Sequence, residues 1–280
     1  MVARAVYRIL NWPYHLSNSG QPLSVFQPPF QPPSTAPFSP VPIQTLEPQR
    51  LYRQIAEQLR VLIGQGEFAV GARIPAERDL AKQLGVSRPS VREALIALEV
   101  EGWVEIRTGS GVYVLDRSHR SAAPATGANG AGAEWGPLEI IRARRLVEGE
   151  TAATAAQHGK RRDVDAMRRA IRTMREMAAR GEVPHEGDRA FHLAIVNACD
   201  NVVLTETVQG FWESRHGPIF ARMIDYFETM ASWQAAIGEH EAILDAVAAR
   251  DPAAARDAMH QHMDRFHQRF SASWRRTKAS

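Results

Sequence analysis

One cysteine, Cys199, stands in 280 residues, so no disulfide can form within the chain, and a small secreted scaffold held by bridges is excluded. The expected setting is a reducing cytoplasm. Long apolar stretches are also missing. No run approaches the ~20 residues of a membrane span, and Arg8 and Pro13 interrupt the only stretch resembling a signal core, so no membrane partner is expected. Charge of one sign is scarce: the net charge is +3, and residues 49–115 hold nine Arg or Lys against eight Asp or Glu. A broad cationic face for binding polyanions is therefore excluded; any such contact must come from a focused patch, reinforced by a second copy of the chain. From Pro137 onward strand signal is almost absent. Residues 1–48 carry almost no charge and no periodicity but hold ten of the seventeen prolines; such a segment is expected to be extended or disordered, an added tail without a function of its own rather than a partner-binding one.

What is present is most informative at residues 75–114. Leu80, Ala81 and Leu84 share the face of a short amphipathic helix. Gly85 and Val86 supply a turn, Ser87 stands where an N-cap belongs, and Pro89 is tolerated in the first helical turn. Val91, Ala94, Leu95 and Leu98 make the buried stripe of a second helix, with Gly102 as its stop. Residues 103–107 alternate, 108–111 suit a hairpin turn, and 112–114 return. Tyr52, Ile55, Ala56, Leu59, Leu62 and Ile63 form a helix packed behind the pair. The sum is a winged helix-turn-helix whose second helix presents Arg88, Ser90 and Arg92 at its N-terminal end, an arrangement that enters a DNA major groove.

The segments Pro75-Ala76-Glu77-Arg78-Asp79-Leu80-Ala81, Val86-Ser87-Arg88-Pro89-Ser90-Val91-Arg92-Glu93-Ala94-Leu95 and Leu98-Glu99-Val100-Glu101-Gly102-Trp103 resemble the DNA-binding domain of the GntR superfamily of bacterial transcription regulators. The resemblance implies operator contacts by Arg78, Ser87, Arg88, Ser90, Arg92, Thr108 and Gly109. A guanidinium can grip guanine with two hydrogen bonds, whereas serines and amides suit phosphates. Arg88 or Arg92 is accordingly expected to read a base, and Arg78 to meet a phosphate or neighbouring base. Ion pairing of these arginines with Glu77, Asp79 or Glu93 is the alternative.

A break runs over residues 116–135, in which 121–133 are small, flexible and uncharged, as a hinge leaving the head mobile. Beyond it, helical runs over 138–156, 163–177, 186–199, 202–227, 233–250 and 252–274 predict some six antiparallel helices, with Asp163 capping one and Asp251 and Pro252 opening another; residues 275–280 form a tail. The fold class is mainly α: the winged head at 49–115 and an all-α bundle at 136–274. Asp188 and His192, four apart, lie on one inward face. His240 sits among Ile237, Leu244 and Val247, and His262 beside Met259 and Phe266. Four N/O donors on three helices suit zinc or a similar divalent ion. Taken singly, each reads as a hydrogen-bonded core residue, and Asp188 with His192 as a helix ion pair. His185, His216, His260 and His267 are assigned to the core or surface.

Residues 137–269 resemble the FCD ligand-binding domain of the FadR-like branch of that superfamily, which places a metal on an aspartate, the histidine four residues on, and one histidine from each of two later helices. Here these are Asp188, His192, His240 and His262. The implied ion is zinc first, with nickel or manganese as the others. The resemblance also implies a small carboxylate effector held beside the metal, with Arg144 in the position of the family's first-helix arginine; a salt bridge to Glu148 is the other reading of Arg144. Arg215 and His216 are further candidates to line the pocket. Arg50-Leu51-Tyr52-Arg53-Gln54 and Gly136-Pro137-Leu138-Glu139 are similar to regulators of hexuronate and related sugar-acid catabolism. The expected molecule is a homodimeric repressor, not an enzyme, that binds a palindromic operator and is released by a sugar acid. The alternatives are a regulator for which the ion itself is the signal, and a metal-dependent enzyme; Glu239 and Glu241 flank His240, but no obvious spare general base is present.

Overall fold

The computed structural model describes residues 50–116 and 135–271; the proposed extension, most of the hinge and the tail lie outside them. The head begins with α1 (Leu51–Gly64), followed by α2 (Glu77–Leu84) and α3 (Arg88–Val100). Gly85 ends α2 in the left-handed region, φ 67°, with its amide bonded to the Ala81 carbonyl, a conformation that a side chain would resist. Ser87 caps α3 by accepting from the Ser90 amide at 3.3 Å. Gly102, φ 75°, turns the chain out of α3, and the Trp103 amide bonds the Leu98 carbonyl at 2.8 Å.

The wing is β1 (Val104–Arg107) paired antiparallel with β2 (Gly111–Val114), Val104 opposite Val114 and Arg107 opposite Gly111. Gly109, φ 76°, supplies its turn. The structure adds an element without a sequence signal. The segment before α2 lies along the free edge of β2: the Ile74 amide bonds the Val112 carbonyl at 2.9 Å, and the Val114 amide bonds the Ala72 carbonyl at 3.0 Å. Gly111 leaves room for the Arg73 guanidinium, with which a Cβ there would collide.

The bundle is α4 (Pro137–His158), α5 (Arg161–Ala179), α6 (His185–Asn197), α7 (Val202–Glu213), α8 (Pro218–Phe227), α9 (Met230–Ala248) and α10 (Pro252–Ser271), seven helices rather than six. The helix expected over 202–227 is broken by a 3-10 turn, Ser214–His216, followed by Gly217 and Pro218. Pro218 has no amide for a continuing helix, but fits the first position of a new one. Asp163 is not the cap of α5 but its third residue, accepting from the Lys160 amide at 2.8 Å. Asp251 opens α10 as expected, accepting from the Ala254 amide at 3.0 Å. Residue 149 is glycine where α4 meets α10; a Cβ there would strike the His260 imidazole.

Head and bundle share one core. Tyr52, Leu95 and Leu98 join the same buried cluster as Ile140, Phe220, Phe266 and Phe270, so the described head is docked where the hinge led us to expect a mobile one. A second cluster, with Met167, Met174, Phe191 and Met259, fills the far end of the bundle. No helix among the described residues is long and apolar enough to cross a membrane.

Candidate functional site

Between these two cores the bundle holds a buried polar knot. Asp188 lies in the first turn of α6 and His192 one turn on; His240 projects from α9 and His262 from α10. All four are buried, and one ligand atom from each falls within 4.8 Å of the others. Asp188 Oδ1 lies 3.4 Å from His192 Nε2 and 3.2 Å from His240 Nε2, and those two nitrogens are 3.3 Å apart. Phe191 packs edge-on against His240.

A second ring of groups orients the first. Glu148 of α4 lies against His192 Nδ1 and accepts from Arg144 Nε at 2.5 Å. His262 Nδ1 is 2.7 Å from Glu239 Oε2. A carboxylate on Nδ1 favours the tautomer whose lone pair is on Nε2, the form that ligates a metal. Asp188 Oδ2, the oxygen turned from the imidazoles, accepts from Arg215 Nη1 at 3.1 Å.

The electrostatics favour ligating forms for most of the set. Burial opposes charge on Asp188, but hydrogen bonds from His192 and His240 and the Arg215 charge hold it well below the usual carboxylate range. Burial likewise opposes charge on Glu148, which Arg144 and His192 nevertheless bring down to about 2. Burial, with His240 and His192 nearby, keeps His262 well below the ordinary imidazole value and hence neutral. His240 is lowered by burial. His192 moves the other way: Glu148 and Asp188 overcome its burial and raise it.

These residues fit a divalent ion. Bonds of ~2.0–2.1 Å from zinc to nitrogen or oxygen put neighbouring tetrahedral ligands ~3.3–3.4 Å apart; the Asp188, His192 and His240 donors are 3.2, 3.3 and 3.4 Å apart, and with His262 the set stays within 4.8 Å. The facing Nε2 atoms of His192 and His240, together with the carboxylates behind His192 and His262, suit a donor set.

Arg144 takes the alternative offered by its sequence: its buried guanidinium pairs with Glu148 and lies 4.7 Å from the centre of the Trp212 ring. Arg215, from the 3-10 turn, stacks on the same indole at 4.2 Å. Its Nη2 is buried without a hydrogen-bond partner among the described residues, as is Trp212 Nε1. Arg215 thus joins the cluster, whereas His216 is exposed and turned to the Glu213 carbonyl. Glu148, Glu239 and Trp212 were missed as parts of this site. Glu148 had a signal, its spacing from Arg144; nothing in the sequence turns Glu239 toward α10.

In the head, Arg78 is exposed beside Asp79, Arg88 is half-exposed against Glu77, and the Ser87 and Ser90 hydroxyls meet at 2.8 Å. Thr108 and Gly109 are exposed at the wing tip. Arg78, Arg88 and Gly109, with Arg73 and Arg107, line a recess of about 230 Å³ between wing and helices. Arg92 departs from its expected role. Fully buried, it donates from Nε and Nη2 to Glu77 at 2.9 and 2.7 Å, and from Nη1 to the Phe270 carbonyl at 2.6 Å. In this arrangement it reaches no base.

Comparison with known proteins decides the family. Residues 51–114 match the model of bacterial regulatory proteins, gntR family, and residues 139–265 match the FCD domain. The chain is 37% identical over 232 residues to the Exu regulon transcriptional regulator of Escherichia coli K12, covering 79% of this chain and 85% of that one. The chain belongs to the GntR family. To the Uxu operon transcriptional regulator of the same organism this GntR protein is 37% identical over 224 residues, covering 79% and 87%. A putative L-lactate dehydrogenase operon regulatory protein of E. coli K12 is 30% identical over 79% of this chain and 86% of its own length. Among solved structures, Streptococcus agalactiae GntR aligns with 78% of this chain and 99% of its own at 23% identity and a TM-score of 0.40. As a GntR regulator the chain binds operator DNA; it is a transcription regulator and not an enzyme.

Proposed function

We propose that this protein represses genes of sugar-acid catabolism and releases its operator when a hexuronate-type carboxylate binds beside a divalent ion in the bundle. The observation that carries this reading is the buried cluster of Asp188, His192, His240 and His262 with Arg215 against it. Asp188, His192, His240 and His262 would hold the ion, zinc first, which supplies a Lewis-acid attachment point for an acid's oxygens when bound. Arg144 and Arg215 balance Glu148 and Asp188, so a dication leaves the pocket in positive excess even with Glu239 beside His262, and an anion is the complement. The orphaned donors Arg215 Nη2 and Trp212 Nε1 ask for acceptors, which a carboxylate flanked by hydroxyls provides. The Exu and Uxu names of the relatives agree with a hexuronate.

Two copies would bind a palindromic operator in the cytoplasm. The exposed Leu146, with Val147 and Leu204, lines a shallow groove on α4 and α7, beside the exposed Val202 and Val203. This apolar face supports the homodimer. Arg78, Ser87, Arg88, Ser90, Thr108 and Gly109 remain the operator-facing set.

One observation favours a second reading. Four protein donors converge here, as many as a structural site commonly supplies, which suits an ion that is itself the signal. Operator binding titrated with zinc in the absence of acid separates the two: dependence on zinc alone supports the sensor, dependence on acid at saturating zinc supports the repressor. The ion itself is tested with His240→Ala, which should lower the metal-to-protein ratio after dialysis; an unchanged ratio refutes ligation there.

A further inference from the structure

A DNA-reading helix needs an open face, and α3 has little. From Val91 to Leu98 every residue is buried, which for two full turns leaves no side for a groove. Only the two ends stand clear, Ser87 and Arg88 at the start and Val100 at the finish.

What covers α3 is the bundle, through two adjacent buried polar residues, Arg92 and Glu93. Arg92 donates to the carbonyl of Phe270, in the last turn of α10, at 2.6 Å, where helix carbonyls lack partners and the dipole favours a cation. Its guanidinium also lies 5.2 Å from the centre of the Phe227 ring of α8. The Glu93 carboxyl group reaches residue 136, at the start of α4, where the free amides of the first turn, that of Leu138 among them, favour an acceptor. Gly136 allows this approach, since a Cβ there would meet the Glu93 carboxylate and the Tyr52 ring. Two turns on, Glu99 accepts from Arg222 Nε of α8 at 2.9 Å and from the Tyr226 hydroxyl at 2.7 Å.

We propose that Arg92 and Glu93 form an internal clasp, gripping the C-terminal end of α10 and the N-terminal end of α4, that holds the head in a docked arrangement unable to seat α3 in DNA. Operator binding then requires the clasp to open, with Arg92 leaving the Phe270 carbonyl. This goes beyond the proposed effector response and does not depend on which ligand fills the cluster. The gripped helices are nonetheless those that carry it. His262 lies eight residues before Phe270, about 12 Å along α10, and Glu148 ten residues after Leu138, about 15 Å along α4. A shift of either helix at the cluster is delivered to the end that the clasp holds.

Two bundle-side changes loosen the docked head without touching the operator-facing set or the cluster. Gly136→Ala displaces the Glu93 carboxyl group of the clasp directly, and Arg222→Ala with Tyr226→Phe removes the bundle's hold on Glu99, two turns beyond the clasp, leaving it only the Ile106 amide of the head. Full-length protein is titrated by fluorescence anisotropy onto a DNA fragment that the unmodified protein selects from a random pool. Both variants should bind about tenfold more tightly, within the usual range of coupling between sites; unchanged or weaker binding by both overturns the clasp as an inhibitory contact. Hydrogen exchange supplies a readout independent of DNA. The α3 amides from Val91 to Leu98 should exchange faster in both variants, and unaltered protection overturns the clasp as what holds the head.

Discussion

Asp188 divides its carboxylate: Oδ1 faces the nitrogens of His192 and His240 at 3.4 and 3.2 Å, and Oδ2 faces Arg215 at 3.1 Å. One side chain thus joins the donor set to the cation that we assign to the effector, and each half can be tested without destroying the other.

Arg215→Gln keeps the donors but removes the charge. The variant should retain its metal-to-protein ratio yet lose most of its thermal stabilisation by hexuronates. A charge-assisted hydrogen bond contributes about 1.5–3 kcal/mol, so acid affinity should fall roughly 10- to 100-fold. Undiminished acid-induced stabilisation in zinc-loaded protein would show that Arg215 does not hold the effector.

Glu239→Gln should weaken metal binding while leaving every ligand in place. Glu239 holds His262 through Nδ1 at 2.7 Å, and removing such an orienting partner costs about 10- to 100-fold in affinity. Competition against a chromophoric chelator measures this directly; an affinity equal to that of the unmodified protein means that His262 needs no such support.

Docking of the head should weaken as pH rises. Burial pushes the Glu93 carboxyl up to about 8. The docked state therefore holds a proton that an undocked, solvated Glu93 releases near its ordinary value of 4.5. The contribution of this contact is fully present below about 4.5, declines as pH climbs from there, and levels off beyond about 8. Protection of the α3 amides, corrected for intrinsic exchange, should be greater at pH 6 than at pH 8.5, and Glu93→Gln should flatten that difference. Equal protection at both values in the unmodified protein would contradict the assignment.

The local architecture was legible because local rules determine it. Gly85, Ser87 and Gly102 act through backbone conformation and capping within a few residues, so the head's helices and wing could be read directly. The four residues of the buried cluster were legible, Asp188 and His192 by their spacing of one helical turn, and His240 and His262 by their apolar neighbours. What escaped depends on long-range packing. Nothing near Arg92 reveals that its face would meet the end of a helix 178 residues away; its guanidinium suits a DNA groove equally well. Glu239 adjoins His240, but only the placement of α10 makes it the partner of His262. Arg215 had a faint signal in Gly217-Pro218, which interrupts the helix and turns the arginine inward. The β2-pairing segment near Arg73 is too short for alternation to show.

The central claim, that a carboxylate acts through the buried cluster to release DNA, is tested most directly by operator affinity in zinc-loaded protein titrated with hexuronates. We predict that the apparent Kd for the selected DNA rises at least about tenfold in the unmodified protein, and that His240→Ala, still folded and DNA-binding, fails to respond. An operator affinity indifferent to every sugar acid, or a full response in His240→Ala, would contradict it.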